Sequence, residues 1–274
     1  MGVPNALSIA GLDPSGGAGI LADVKAMSAL GAYACAVVAA LTAQNTQAVT
    51  DIQPVDPRFV RAQIDTLFDD LTIHTVKVGM LGQRGVIETV SDRLAHFAPP
   101  HIVLDPVMVS KSGDLLLEQA ALESLRDQLL QLATVVTPNL PEAGVLLGQR
   151  QVETLREMRQ VAERLRKLMA YDGHRWVLLK GGHLPGAETI DLLHDGDVMI
   201  ELPGHRIQTR NTHGTGCTLS AALAALLPQA ADTPEAARRA KDYLVGAIAH
   251  ADALDVGHGH GPVNHFWQFN STVQ

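Results

Sequence analysis

Residues 6–41 read ALSIAGLDPSGGAGILADVKAMSALGAYACAVVAAL. Ala6–Gly11 is a short, unbroken apolar run, the pattern of a strand buried on both faces. A glycine-rich turn follows. Gly17–Leu30 then sets Ile20, Val24, Met27 and Leu30 at helical spacing. Ala34–Leu41 is a second apolar run. Strand, helix and strand in one short stretch form the crossover unit that pairs strands in parallel.

The same rhythm continues to residue 180. Strands are expected at Val76–Met80, Ile102–Val107, Thr134–Thr137 and Trp176–Lys180. Helices are expected at Pro57–Leu71, Gly85–Phe97, Glu118–Leu132, Pro141–Leu147 and Val152–Met169. The pattern then changes. Thr189–His194 and Val198–Leu202 flank Asp195-Gly196-Asp197, a hairpin turn signal. Thr215–Leu227 and Pro234–Leu254 read as closing helices. The expected fold is α/β: a mainly parallel central sheet covered by helices on both faces, with a late antiparallel hairpin at one edge. No repeat, linker or low-complexity tract divides the chain, so residues 1–274 read as a single domain.

Composition narrows the function. Hydrophobic residues make up 46% of the chain, which fits a packed globular protein and excludes a disordered one. The formal net charge is −8 and no Lys/Arg stripe is present, which argues against nucleic acid or an anionic membrane as partner. No apolar run approaches the roughly 20 residues that span a bilayer. Cys35 and Cys217 sit in unrelated surroundings, so a disulfide is not expected and the cytoplasm is the expected compartment. Met1–Asn5 carries no signal-peptide pattern.

The sharpest motif is Asn211-Thr212-His213-Gly214-Thr215-Gly216-Cys217, running into the small-residue helix Thr218-Leu219-Ser220-Ala221-Ala222. The first N–H groups of a helix have no internal partner, and the helix dipole favours negative charge there. Gly214, Thr215, Gly216 and Cys217 are therefore expected to form an anion hole for a transferring phosphoryl group. The plainer reading is a glycine cap on a tightly packed helix. A helix N-terminus lowers a thiol pKa, so Cys217 is a candidate proton acceptor; otherwise it is a small buried residue.

Other polar clusters follow strands, where ligands of such sheets sit. Ile9–Gly19 lacks the G-x-G-x-x-G spacing of a dinucleotide fold and reads instead as backbone that a flat ligand approaches. Asp23, one turn into the next helix, is either a hydrogen-bond partner of that ligand or an exposed helix charge. Gln44 offers an amide donor and acceptor side by side, matching the ring nitrogen and amine of an aminopyrimidine, and reads equally as a polar loop residue. Asp105, Asn139 and Glu142 supply oxygens on strand-end loops and suit Mg²⁺ held through water, or ordinary turn chemistry. Lys180-Gly181-Gly182-His183 follows a strand and is expected either to neutralise phosphate charge through Lys180 or to be a solvated loop. Lys111–Asp114 reads equally as a mobile lid or a solvated loop, and the Gly257–Pro262 run as a flexible surface tail rather than a metal site.

Together these segments resemble the hydroxymethylpyrimidine and phosphomethylpyrimidine kinases of thiamine synthesis, within the ribokinase-like superfamily. The resemblance is collinear over essentially the whole chain. It takes in AGLDPSGGAG at 10–19, LTAQNT at 41–46, VKVGML at 76–81, LDPVMVSKSGD at 104–114 and TPNLPEA at 137–143. It continues through LKGGH at 179–183, NTHGTGCTLSAA at 211–222 and GHGPVNHF at 259–266. The resemblance implies transfer of the γ-phosphoryl group of ATP, with Mg²⁺, to a hydroxymethyl aminopyrimidine and then to the phosphate of that product. It implies that Gln44 and Asp23 bind the pyrimidine, that Gly11, Met80 and Val107 line its pocket, and that the protein is a homodimer. Cys217 stands where most ribokinase-like sugar kinases carry an aspartate. A pyridoxal or pyridoxine kinase on the same fold is the nearest alternative, and a non-catalytic pyrimidine-binding regulator the alternative of another class.

Overall fold

The computed structural model describes residues 2–108 and 120–269. The Lys111–Asp114 loop expected as a lid lies outside the described residues, as does the start of the helix expected from Glu118. The chain runs β1 (Asn5–Leu12), α1 (Gly19–Ala29), β2 (Tyr33–Gln44), β3 (Val49–Pro54), α2 (Pro57–Asp70), β4 (Thr75–Val78), α3 (Arg84–Phe97) and β5 (His101–Leu104). After residue 120 come α4 (Ala121–Ser124), a π turn (Leu125–Leu129), α5 (Leu130–Leu132), β6 (Val135–Val136), α6 (Leu140–Leu147), α7 (Leu155–Leu168) and β7 (Trp176–Leu179). The hairpin β8 (Glu188–His194) and β9 (Met199–His205) precedes α8 (Thr215–Leu226) and α9 (Thr233–Ala249).

Among the described residues the strands form one sheet in the order β3-β2-β1-β4-β5-β6-β7-β8-β9. Neighbours from β2 to β7 are parallel. β8 and β9 are the expected late hairpin, antiparallel to β7 and to each other. Asp195 Oδ1 closes its turn by accepting the N–H groups of Asp197 and Val198. The opposite edge adds a strand the sequence reading missed: β3 pairs antiparallel with β2. Its sequence, VTDIQP, is half exposed and ends in proline, as an edge strand tolerates.

Alternation of side chains along each strand divides the core in two. Leu7, Ile9, Val76, Val78, Ile102, Leu104, Val177 and Leu179 pack with α2, α3, α6 and α7 on one face. Ala6, Val103, Val135, Trp176 and Leu178 pack with α1, α8 and α9 on the other. Ser8 and Lys77, register partners on β1 and β4, occupy alternate positions that turn to this second face. From Thr218 to Leu226 every residue of α8 is buried, and its alanines let the backbone lie close to the sheet and to α1. No helix among the described residues is long and apolar enough to cross a membrane. Cys35 and Cys217 are free thiols.

Candidate active site

The carboxyl ends of the parallel strands gather the candidate side chains on one edge. Reading across β2, β1, β4 and β5, the adjacent strand ends carry Gln44, Gly11, Met80 and Val107. Asn139 follows β6 and Lys180 follows β7, and these two residues form a parallel bridge. The N-termini of α1, α6 and α8 open toward the same edge, because each follows a strand or loop that ends there.

Gly214 begins α8 with φ +77°, and no side chain caps the helix. The N–H groups of Gly216 and Cys217 therefore have no intrahelical acceptor. A Cβ on Gly214 would overlap the Gly17 carbonyl oxygen, so only glycine fits between the two loops. A Cβ on Gly216 would stand 3.3 Å from Lys180 Nζ. The lysine ammonium thus lies against the uncapped amides, two sources of positive potential at one point. The structure brings Lys180 against the start of α8 formed by Gly214, Thr215, Gly216 and Cys217.

The carboxylates behave differently from expectation. Asp105 is buried, and its oxygens are already engaged. Lys180 Nζ and Thr137 Oγ1 donate to Oδ1 at 3.1 Å each, and Ser220 Oγ donates to Oδ2 at 3.2 Å. Burial opposes its charge, but the ammonium groups of Lys180 and Lys77 hold its pKa below the usual carboxylate range. Asp105 is thus the anchor of Lys180, a correction to its expected place among the metal oxygens. Asn139 and Glu142 form a capping box on α6. Asn139 Oδ1 accepts the Glu142 N–H at 2.9 Å, and Glu142 Oε2 accepts the Asn139 N–H at 2.8 Å. Burial pushes the Glu142 carboxyl up to about 7 despite Lys180 at 3.9 Å. A buried carboxylate held short of its charge is stabilised by a further cation, so this donor set fits Mg²⁺ bound through water.

Asp23 also requires correction. It is fully buried, and Lys77 Nζ donates to both its oxygens at 2.8 and 3.0 Å. Ser8 Oγ donates to Oδ2 at 2.6 Å. The carboxylate is turned inward beneath the cleft, as neither a ligand contact nor an exposed charge. Its partner Lys77 has no solvent exposure either. Burial works against the ammonium, but Asp23, Cys217 and Asp105 hold its pKa above the ordinary range.

Cys217 stands near both lysines, yet its thiol is not acidified. Burial pushes it up to about 11, with Asp23 and Asp105 adding to the rise and Lys77 opposing it. The expected lowering by the helix terminus is overturned by desolvation, which penalises a thiolate more than the dipole favours it.

At the acceptor end, a Cβ on Gly11 would stand 2.6 Å from Met80 Cε, so the thioether lies directly over bare backbone. Gly11 N–H donates to the Met80 carbonyl at 3.0 Å. Gln44 is half-buried, with Thr42 Oγ1 3.1 Å from its Oε1. A cleft beside it is lined by Gln44, Asn45, Thr46, Gln47, His213 and His260, among others.

Three features escaped the sequence reading. Lys77 was hidden in an apolar strand, although a charge between Val76 and Val78 was itself a signal. His213 pairs with Asp13 at 2.7 Å across the two glycine loops. The 257–262 run is a hydrogen-bonded strap rather than a flexible tail. Gly259 and His260 donate their N–H groups to Thr46, and the Gly261 carbonyl accepts the His213 N–H.

A parallel sheet finished by antiparallel edges, with a glycine-opened helix and a lysine at its carboxyl end, defines a ribokinase-like small-molecule kinase. The family model for phosphomethylpyrimidine kinase matches residues 13–264. The hydroxymethylpyrimidine/phosphomethylpyrimidine kinase of Escherichia coli (strain K12) is 49% identical over 262 residues, covering 96% of this chain and 97% of the relative. The chain belongs to the phosphomethylpyrimidine kinase family. Among solved structures, the pyridoxal kinase of Bacillus subtilis in its ADP complex superposes with a TM-score of 0.87 at 34% identity, covering 96% of this chain and 98% of that one. Phosphomethylpyrimidine kinase from Clostridium difficile 630 gives 0.78 at 36% identity, covering 89% and 99%.

Proposed function

We infer that the chain transfers the γ-phosphoryl group of ATP to the hydroxymethyl group of 4-amino-5-hydroxymethyl-2-methylpyrimidine, and then to the phosphate of that product. The observation that carries this reading is the uncapped start of α8 with Lys180 set against Gly216, in a chain of this family. Those amides and the ammonium would receive the three equatorial oxygens of the phosphoryl group in transfer, where charge is spread most widely.

Gln44 would read the amine and ring nitrogen of the acceptor, while Gly11, Met80 and Val107 provide a flat apolar seat for its ring. Asn139 and Glu142 would hold Mg²⁺ through water, with Lys180 beside them. Mg²⁺, when bound, would neutralise the β- and γ-phosphate charge. Cys217, protonated by virtue of its burial, would serve as a hydrogen-bond partner of the acceptor hydroxyl rather than as a thiolate base. Phosphoryl transfer is loose, so the hydroxyl proton departs late and positioning outweighs base strength.

Incubation of the protein with ATP, Mg²⁺ and the pyrimidine alcohol should yield ADP with the mono- and then the diphosphate. Absence of ADP above background removes the reading. The pyridoxal kinases among the structural neighbours favour one second reading, phosphorylation of a vitamin B6 alcohol. Gln44 separates the two, since the pyridine ring offers a phenol and a methyl in place of the amine edge. Gln44→Ala should cost the pyrimidine about tenfold or more in kcat/KM, the scale of one lost specific hydrogen bond, and leave pyridoxine turnover nearly unchanged.

A further inference from the structure

His213 is a meeting point of three segments. Its ring Nε2 lies 2.7 Å from Asp13 Oδ2. Its backbone N–H donates to the Gly261 carbonyl at 3.0 Å, within a parallel bridge between His213 and Pro262. Its ring covers Gly17 so closely that a Cβ there would overlap Cδ2. Asp13 is equally committed. Its Oδ1 accepts the Ser15 N–H at 2.9 Å and its Oδ2 the Ala18 N–H at 3.0 Å. Both side chains are buried, at 3% exposure for Asp13 and 8% for His213.

The pair holds one glycine loop against the other. Asp13 folds residues 13–18 around its own carboxylate. His213 ties that folded loop to the residue immediately before Gly214. Gly17 and Gly214 meet backbone to backbone directly beneath the tie. The amides of Gly216 and Cys217 begin two residues further on, so their direction is set by where Gly214 sits.

We propose that Asp13 and His213 form a positioning pair that aims the start of α8 at the phosphoryl group in transfer. This rests on the anion-hole reading of residues 214–217. The pair joins His213 Nε2 to a carboxylate that also holds the Ser15 and Ala18 N–H groups. It acts by fixing the direction of N–H groups whose value lies in being pre-aimed, and a displacement on the order of 1 Å costs such a site about a hundredfold.

The test uses ADP with aluminium fluoride and Mg²⁺, a mimic of the phosphoryl group in flight, beside steady-state kinetics. Wild type should bind ADP with aluminium fluoride at least about a hundredfold more tightly than ADP alone, as transition-state mimics do. His213→Ala should lose that preference while its affinity for ADP alone is unchanged. Its kcat should fall about a hundredfold with little change in the KM for ATP. His213→Gln, which retains an N–H able to reach Asp13, should recover about tenfold or more of the lost kcat. If His213→Ala does not fold, Asp13→Asn is read in its place, since it keeps shape and one acceptor oxygen but loses the charge. A His213→Ala enzyme that still prefers the aluminium fluoride complex overturns the inference, as does a Gln variant no better than Ala. Wild type that turns over ATP without preferring the mimic removes the anion-hole reading and this inference with it.

Discussion

Lys180 and Gly216 face one another across the mouth of α8, with Nζ 3.3 Å from the point where a Cβ on the glycine would stand. The space between them is the width of the missing methyl. Gly216→Ala places that methyl where, on the proposed function, phosphate oxygens would meet both the ammonium and the amides. Nothing about the backbone forbids alanine there, and alanine favours helix over glycine by roughly 0.5–1 kcal/mol. The expected outcome is opposite signs: kcat reduced about a hundredfold, with thermal stability equal or slightly raised. Gly214→Ala should instead destabilise the fold, because its Cβ meets the Gly17 carbonyl. Melting curves beside kinetics of both variants decide the matter, and an active Gly216→Ala enzyme would sink the assignment.

The inward pair Lys77–Asp23 predicts strong coupling. Lys77→Met strands a buried carboxylate and should cost about 3–5 kcal/mol in chemical denaturation. Adding Asp23→Leu should restore much of that loss, since an apolar pair of similar volume needs no counter-charge. The KM for the pyrimidine should move little in the double variant, because Asp23 already spends both oxygens on Lys77 and Ser8. Additive single-variant losses would contradict this.

Cys217 provides a pH prediction. With its thiol pushed up to about 11, alkylation by iodoacetamide should be slow at pH 8 and accelerate steeply above pH 9. Cys217→Ser should retain most activity, within about tenfold, since a hydroxyl replaces a protonated thiol as hydrogen-bond partner. Rapid alkylation at neutral pH would restore the thiolate base.

Glu142 gives a second. Its carboxyl titrates in the folded protein at about 7, above the ordinary 4.5. Between those values the folded state holds a proton the unfolded chain has released, so stability falls as pH rises through that window and levels above it. Glu142→Gln keeps the capping acceptor and removes the titration. Without Mg²⁺, it should match wild type near pH 4.5 and exceed it by ~1–3 kcal/mol at pH 8. A difference that does not change with pH would refute the assignment.

The parallel core was legible because its strands are continuous apolar runs, and the start of α8 because its message lies within seven consecutive residues. What escaped depends on distance. Asp23 meets Lys77 across 54 positions, and Asp13 meets His213 across 200. A helix-start aspartate has the same spelling whether it faces a ligand or a buried lysine. Val49–Pro54 was missed because an edge strand needs little apolar patterning, and Gly257–Pro262 because its order comes from backbone bonds to Thr46 and His213. The thiol of Cys217 was misjudged because dipole and desolvation oppose each other, and only the packing decides between them.

The contact of Gly214 with Gly17 leaves no room for any side chain on the first of these residues, so the start of α8 is sterically closed to substitution at that position. The β2–β3 turn beside Gln44 is restricted only in part: Thr46 is tied to the 257–262 strap, while Asn45 and Gln47 are open to solvent. Substitution at exposed Gln47 can therefore change the surroundings of Gln44 while the packing of the two glycine loops stays as it is.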